Sequence, residues 1–178
     1  SYNKLYAYSS AGTQYDITPT GISAGREDAS AFTAYGSGFH GKLAYGVQRP
    51  DTTNILPATV WHLQTWGEYL LACNSDDGKI YEWQLNTGTA AAQLSNAPVD
   101  NQAIVVTEDR FVFALGAGGN PRKVQWCDRE DNTTWTAAAT NEAGDLELNT
   151  SGKIMQGVNV RGQTLILTTR DAHAAVYQ

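Results

Sequence analysis

Short runs in which apolar and polar residues alternate, separated by Gly, Asp and Asn, recur along this chain and predict strands joined by tight turns. Val60 to Thr65, Glu68 to Cys73 and Lys79 to Gln84 form one series, turning at Trp66-Gly67 and at Asn74-Ser75-Asp76-Asp77-Gly78. Ala103 to Thr107, Arg110 to Leu115 and Arg122 to Cys127 repeat that order, with turns at Glu108-Asp109 and Gly116-Ala117-Gly118-Gly119-Asn120-Pro121. Ile154 to Val160, Gln163 to Thr169 and Ala174 to Tyr177 repeat it again across Arg161-Gly162 and Arg170-Asp171. A further strand is expected at Ala90 to Leu94 in the first series and at Asp145 to Leu148 in the second. No segment carries a convincing helical stripe.

Upstream, Lys4-Leu5-Tyr6-Ala7-Tyr8 and Tyr15-Asp16-Ile17-Thr18-Pro19 read as a hairpin turning at Ala11-Gly12, followed by a polar loop from Gly21 to Asp28. A second hairpin is expected from Ala31 to Gly36 and Lys42 to Gln48 across Gly38-Phe39-His40-Gly41. Pro50 to Pro57 reads as an edge or connection, because proline cannot donate to a ladder.

Tyr69, Phe111 and Thr164 hold equivalent places in the middle strands, at spacings of about 42 and about 53 residues, within the range of propeller blades with variable outer loops. A four-stranded antiparallel sheet with apolar residues on both faces must stack on neighbours to hide Leu70-Leu71, Val112-Phe113 and Leu165-Ile166-Leu167. The expected fold is therefore all-β, a β-propeller-like arc of antiparallel four-stranded blades. Residues 1–178 would form part of a single such domain within a longer chain, since the sequence starts and stops inside hairpins. The alternative that regular strand spacing leaves open is a β-sandwich.

Composition sharpens this picture. Seventeen Gly, nine Tyr and five Trp against one Met favour pleated structure with tight turns. A net charge of -6 argues against tight nucleic-acid binding, which needs Lys and Arg on phosphates, while leaving room for a polyanion to slide past an acidic wall. There is no apolar run long enough to span a bilayer. Cys73 and Cys127, without metal-type spacing, read as buried free thiols of a chain folded in a reducing cytoplasm.

The chain is organised around the corner Val124-Gln125-Trp126-Cys127-Asp128-Arg129-Glu130-Asp131-Asn132-Thr133-Thr134-Trp135, closed by Gly144-Asp145-Leu146-Glu147-Leu148, which reads as a repeat corner and carries no reaction chemistry. A strand enters an acidic, Asn-rich loop and a second Trp anchors the far side. Trp126, Asp128, Arg129, Glu130, Asp131, Trp135, Gly144 and Asp145 are its structural signature and candidate interface. This loop and Asn74 to Gly78 hold enough oxygens to suggest calcium, but neither has the alternating Asp spacing with a distant Glu, so no metal site is assigned. Ser75 to Trp83 and Asp128 to Trp135 also resemble the structural Asp-box of sialidase propellers, with glycine misplaced in the first and missing from the second. His40, His62 and His173 are scattered, and no Ser, Cys or carboxylate pattern gathers them into a triad or zinc site. The glycine-rich stretch 116–121 has no following helix to cradle a phosphate. Asn132-Thr133-Thr134 and Asn149-Thr150-Ser151 fit a glycosylation pattern without a secretion signal. The tryptophans Trp61, Trp66, Trp83, Trp126 and Trp135 suit core packing, or a sugar-stacking platform in a carbohydrate-binding propeller. A propeller glycosidase would need facing carboxylates such as Asp16 with Glu27 or Asp128 with Glu142. No catalytic residue and no cofactor is assigned.

Taken together and in order, Lys4 to Tyr8, Tyr15 to Pro19, Trp66-Gly67-Glu68-Tyr69-Leu70-Leu71-Ala72, Glu108-Asp109-Arg110-Phe111-Val112-Phe113, Pro121-Arg122-Lys123-Val124-Gln125-Trp126-Cys127-Asp128, Trp135 and Gly144-Asp145-Leu146 cover most of the chain. This ordered set resembles the packaged-DNA stabilisation, or tail hub and nozzle, proteins of tailed bacteriophages. Cys127 departs from the serine expected after the tryptophan. The resemblance implies a structural, non-enzymatic virion protein, assembled in the bacterial cytoplasm as a homo-oligomeric ring, usually a hexamer, beneath the portal and adaptor. It would close or extend the tail channel and hold tail fibres. Double-stranded DNA would pass without sequence-specific binding, and no small-molecule substrate is implied.

Overall fold

The computed structural model describes residues 2–22, 24–29 and 57–177. The expected hairpin at 31–48, His40 and the connection at 50–56 lie outside them. The described chain is all-β: thirteen strands in four antiparallel sheets, with a single 3-10 turn at Ala117–Gly119.

Sheet 1 is the hairpin β1 (Tyr6–Tyr8) and β2 (Gln14–Asp16). Sheet 2 is the meander β3 (Trp61–Trp66), β4 (Tyr69–Asn74), β5 (Ile80–Trp83) and β6 (Ala92–Gln93). Sheet 3 repeats it with β7 (Ala103–Val106), β8 (Val112–Leu115), β9 (Lys123–Trp126) and β10 (Gly144–Glu147). Sheet 4 has β11 (Ile154–Val160), β12 (Gln163–Thr168) and β13 (Ala172–Ala175), with a register irregularity between Ile154 and Gln156. The three expected series thus map onto three sheets, and the fourth strands of the first two fall at the expected places. The last strand starts earlier than Ala174, because Thr168 and Asp171 close a short turn through hydrogen bonds that leave Ala172 already extended.

Side-chain alternation on the strands sorts the core into layers. On sheet 2, Ala72, Tyr81 and Trp83 join Leu5 and Ile17 of the amino-terminal segment, while Leu71, Cys73 and Ile80 point the other way. They meet Ile104, Val106, Val112 and Ala114 of sheet 3. The intervening residues Ala103, Val105 and Leu115 face the opposite side and pack with Ile154 and Ile166 of sheet 4. Sheet 3 is therefore covered on both faces, which explains why Ala103-Ile104-Val105-Val106 is apolar without alternation and wholly buried. Leu71, Ile80, Ile104 and Leu115 are almost inaccessible to solvent, and each stabilises the stack by about 1.5–3 kcal/mol relative to exposure.

The close approaches between sheets run from β3 and β4 to β7, and from β7 and β8 to β11. Gly157 makes the second approach possible: a Cβ there would stand 2.7 Å from Cγ1 of Val105 and 3.0 Å from Cδ1 of Leu115. Asn159 Nδ2 donates across the same junction to the carbonyl of Val106 at 2.5 Å and its Oδ1 accepts from Thr164 Oγ1.

Candidate functional site

The corner after β9 is built from its own polar atoms. Cys127 N–H donates to Val112 O, and Cys127 Sγ accepts from Val112 N–H at 3.1 Å, so the strand end stays tied to β8. Asp128 N–H then donates to Thr134 O, closing the loop at its neck. Asp128 Oδ1 accepts from the N–H groups of Arg129 (2.9 Å) and Glu142 (2.8 Å). Asp131 turns the tip: Oδ1 accepts from Thr133 N–H and Oγ1, and Oδ2 from Thr134 Oγ1. The Thr133 hydroxyl above all, then its N–H and the Thr134 hydroxyl, hold the Asp131 carboxyl below its ordinary range.

Trp135 anchors the far side, buried among Leu71, Ile104 and Val112, with Nε1 donating to Asn132 O at 2.7 Å. Buried Asn132 donates in turn to Glu82 Oε2 at 2.6 Å, pinning the loop to sheet 2. That burial leaves no space for a glycan on Asn132, while Asn149 is exposed. Glu130 takes a left-handed conformation (φ 58°) and donates its N–H to the carbonyl of Arg110, itself at φ 68°. The Arg110 guanidinium lies 4.3 Å from the Trp66 ring centroid.

Trp126 and Gly144, eighteen residues apart in sequence, are register partners across β9 and β10, and the indole occupies the space a side chain at Gly144 would need. Trp126 Nε1 donates to Glu142 O at 2.7 Å. Asp145 pairs with Lys123 at 3.4 Å on the exposed face. The eight singled-out residues thus form one neighbourhood. Within it Asp128, Asp131 and Trp135 hold the loop's shape, while Arg129 and Glu130 remain exposed.

Beside this corner, sheets 3 and 4 splay apart around a cleft of about 570 Å³. Phe113, Val124, Trp126, Leu146 and Leu148 form one wall, and Ile166 and Ala175 the other. Phe113 and Trp126 are in tilted ring contact at 5.9 Å. Glu108, Asp109 and Glu142 bring carboxylates to its lining. Tyr177 closes one end: its ring centroid is 5.3 Å from that of Phe111, Arg129 lies over its face, and its hydroxyl donates to Glu142 Oε1 at 2.6 Å. That hydrogen bond raises the phenol's pKa above its ordinary value. Sequence reasoning does not find this cleft, because its walls come from separate series; paired Phe113 and Trp126 on one face of adjacent strands are the one local signal.

The other candidates disperse. Asp128 meets Glu142 through the latter's backbone N–H, not its carboxylate, and Asp16 is engaged by Lys4 at 2.6 Å and by Thr18 N–H. His62 sits half-buried in β3, where desolvation lowers its pKa, and His173 lies in β13 near Asp171, a sheet apart from it. In the first acidic turn, Asp77 accepts from Lys79 N–H and Tyr81 Oη, and Asp76 pairs with Arg26. In the glycine-rich turn, the N–H groups of Gly118 and Gly119 donate to Val99 and Asp100 carbonyls and so do not point at a ligand. Among the described residues no three His, Cys, Asp or Glu side chains gather where a metal could sit. Cys73 and Cys127 are free and buried, Cys127 one residue beyond its strand, and desolvation pushes their thiols up to about 12 and about 11. Trp66, Trp83 and Trp135 are buried, leaving Trp126 as the tryptophan that lines the cleft. No described helix is long and apolar enough to cross a membrane. Comparison of the chain with protein-family models, with curated proteins and with solved structures found no match.

Proposed function

We propose that this chain is a structural component of a bacteriophage tail, of the hub or nozzle kind, in which stacked sheets act as stiff wedges in a propeller-like ring around or across the DNA channel. The observation that carries the reading is the layered stack itself: successive meanders hide both faces of sheet 3 and approach most closely through their first strands, β3, β7 and β11. Such a fan resists bending, because each sheet is gripped over its apolar faces. The acidic balance of the chain suits a wall past which DNA slides, since carboxylates repel phosphates and offer no sticking point. The acidic corner fits an adhesive or architectural role, because its carboxylates are occupied in shaping the loop and exposed Arg129 and Glu130 are left to meet neighbours.

Negative-stain electron microscopy and light scattering of the full-length protein test this reading. Closed rings, expected to hold six copies, support it; a stable monomer at high concentration counts strongly against it. A carbohydrate-binding module is the second reading, favoured by Trp126 in the cleft, and binding on a glycan array would replace the first reading with that one.

A further inference from the structure

We infer that the polar recess beside the β4–β5 turn is a binding site for a primary ammonium group, such as a lysine side chain or a small alkylamine carries. The inference does not rest on the tail reading. The recess holds about 240 Å³, and three successive sheets wall it: the β4–β5 turn, the link into β7, the β8–β9 turn and the start of β11 all line it.

Asn101, 2% exposed, forms its floor. Asn101 Nδ2 donates to Gly78 O at 2.7 Å and to Pro98 O at 2.6 Å, which fixes the amide, and the buried Oδ1 accepts from no donor among the described residues. An acceptor buried in this way is costly unless a donor reaches it. The lining backbone does not supply one, because the N–H groups of Ser75, Gly78, Gln102, Gly116 and Gly119 all serve carbonyls of the chain. Spent donors and open acceptors exclude an anion and call for a guest that donates.

Two carboxylates add charge to that demand. Gly78, at φ 62°, lets the following link pass so close that a Cβ there would stand 2.4 Å from Asp100 Cα, and Asp77 and Asp100 come to line one recess. Asp76 is matched by Arg26, whereas the Asp100 carboxylate makes no hydrogen bond or ion pair among the described residues. Asp77, engaged by Lys79 N–H and Tyr81 Oη, keeps spare lone pairs. An ammonium brings three donors, which match Asn101 Oδ1 and the two carboxylates. A divalent metal fits less well, since no three His, Cys, Asp or Glu side chains gather among the described residues. The volume is also several times the roughly 30 Å³ share of one water, which leaves room for the carbon chain behind the ammonium. Exposed Lys153 is a cation on the same lining and opposes the guest.

The test is an NMR titration of isotope-labelled protein at constant ionic strength, read at the Asn101 side-chain NH2. Butylammonium and Nα-acetyl-lysine amide should each give a saturable shift at millimolar concentration; tetramethylammonium, charged but without an N–H, should give none. Equal affinity for the two amines means that a free alkylamine suffices, and tighter binding of acetyl-lysine amide assigns the guest to a polypeptide; both results support the inference. D100N suits the left-handed backbone of its position (φ 55°) and should weaken binding about tenfold. K153Q should tighten it about twofold, and a wild-type melting curve for either variant shows that the fold is kept. The inference is overturned by absence of a saturable shift, by an equal shift with tetramethylammonium, or by wild-type affinity in folded D100N. Saturation by calcium at lower concentration than by either amine also overturns it and makes the recess a metal site.

Discussion

The indole of Trp126 packs against the backbone of its register partner Gly144, where a Cβ would stand 2.6 Å from Cζ2 and 3.0 Å from Cε2. The ring cannot swing away freely, because Nε1 is held by the Glu142 carbonyl and the face by Phe113. G144A should therefore destabilise the fold by about 1–3 kcal/mol, the range for overpacking a fitted site. Urea unfolding with tryptophan fluorescence measures it, and a change below a few tenths would show that the ring is loosely held.

Gly157 tests the stack between sheets in the same way. G157A forces a methyl group against Val105 and Leu115 and should cost about 1–3 kcal/mol. Because the collision is with the Val105 side chain, V105A combined with G157A should recover part of that loss. Additive losses in the double-mutant cycle would mean that sheets 3 and 4 do not meet at these side chains.

Strand positions are legible in the sequence because half-buried strands alternate, as in β12, and because Gly and Asp mark the turns between them. Which way the residues of β7 face is not, since a strand buried on both sides is apolar throughout. The corner is legible as a loop pinned by Trp135. Its role as a tie between sheets is not, because the partner of Asn132 is Glu82, fifty residues away. Tyr177 carries no local signal for the same reason: its contacts with Phe111, Arg129 and Glu142 are all long-range.

Acid should weaken the fold through carboxylates that the native structure keeps ionised. Lys4 and then Thr18 lower Asp16 to about 2 from an ordinary 3.8; Thr133 lowers Asp131, and Thr168 with Thr150 lowers Asp171. A lowered native pKa means that the unfolded chain binds more protons in acid, so the stabilisation is complete above about pH 4 and disappears as pH falls through the native values. Asp16 and Asp171 are exposed and Asp131 is half-buried at the surface, so each effect is small. D131N should lower the melting temperature at neutral pH and flatten its decline between about pH 4 and pH 2. A decline as steep as wild type would assign the acid sensitivity to other groups.

The two thiols should be inert while the chain is folded. Thiolate is the reactive form, and burial with pKa values near about 12 for Cys73 and about 11 for Cys127 leaves almost none at pH 8. An aromatic disulfide reagent should titrate no thiol in native protein and both in urea, with kinetics that follow unfolding. The two sites differ in what they give the fold. Cys127 Sγ accepts the Val112 N–H, so C127A strands a buried donor and should cost about 1–3 kcal/mol beyond its lost volume. Cys73 reaches only the carbonyl of Asn74, at 4.0 Å, so C73A should lose little more than packing. Equal losses at the two positions would show that the Val112 hydrogen bond contributes nothing measurable, and fast labelling of native protein would show that the sheet 2 and sheet 3 interface opens readily.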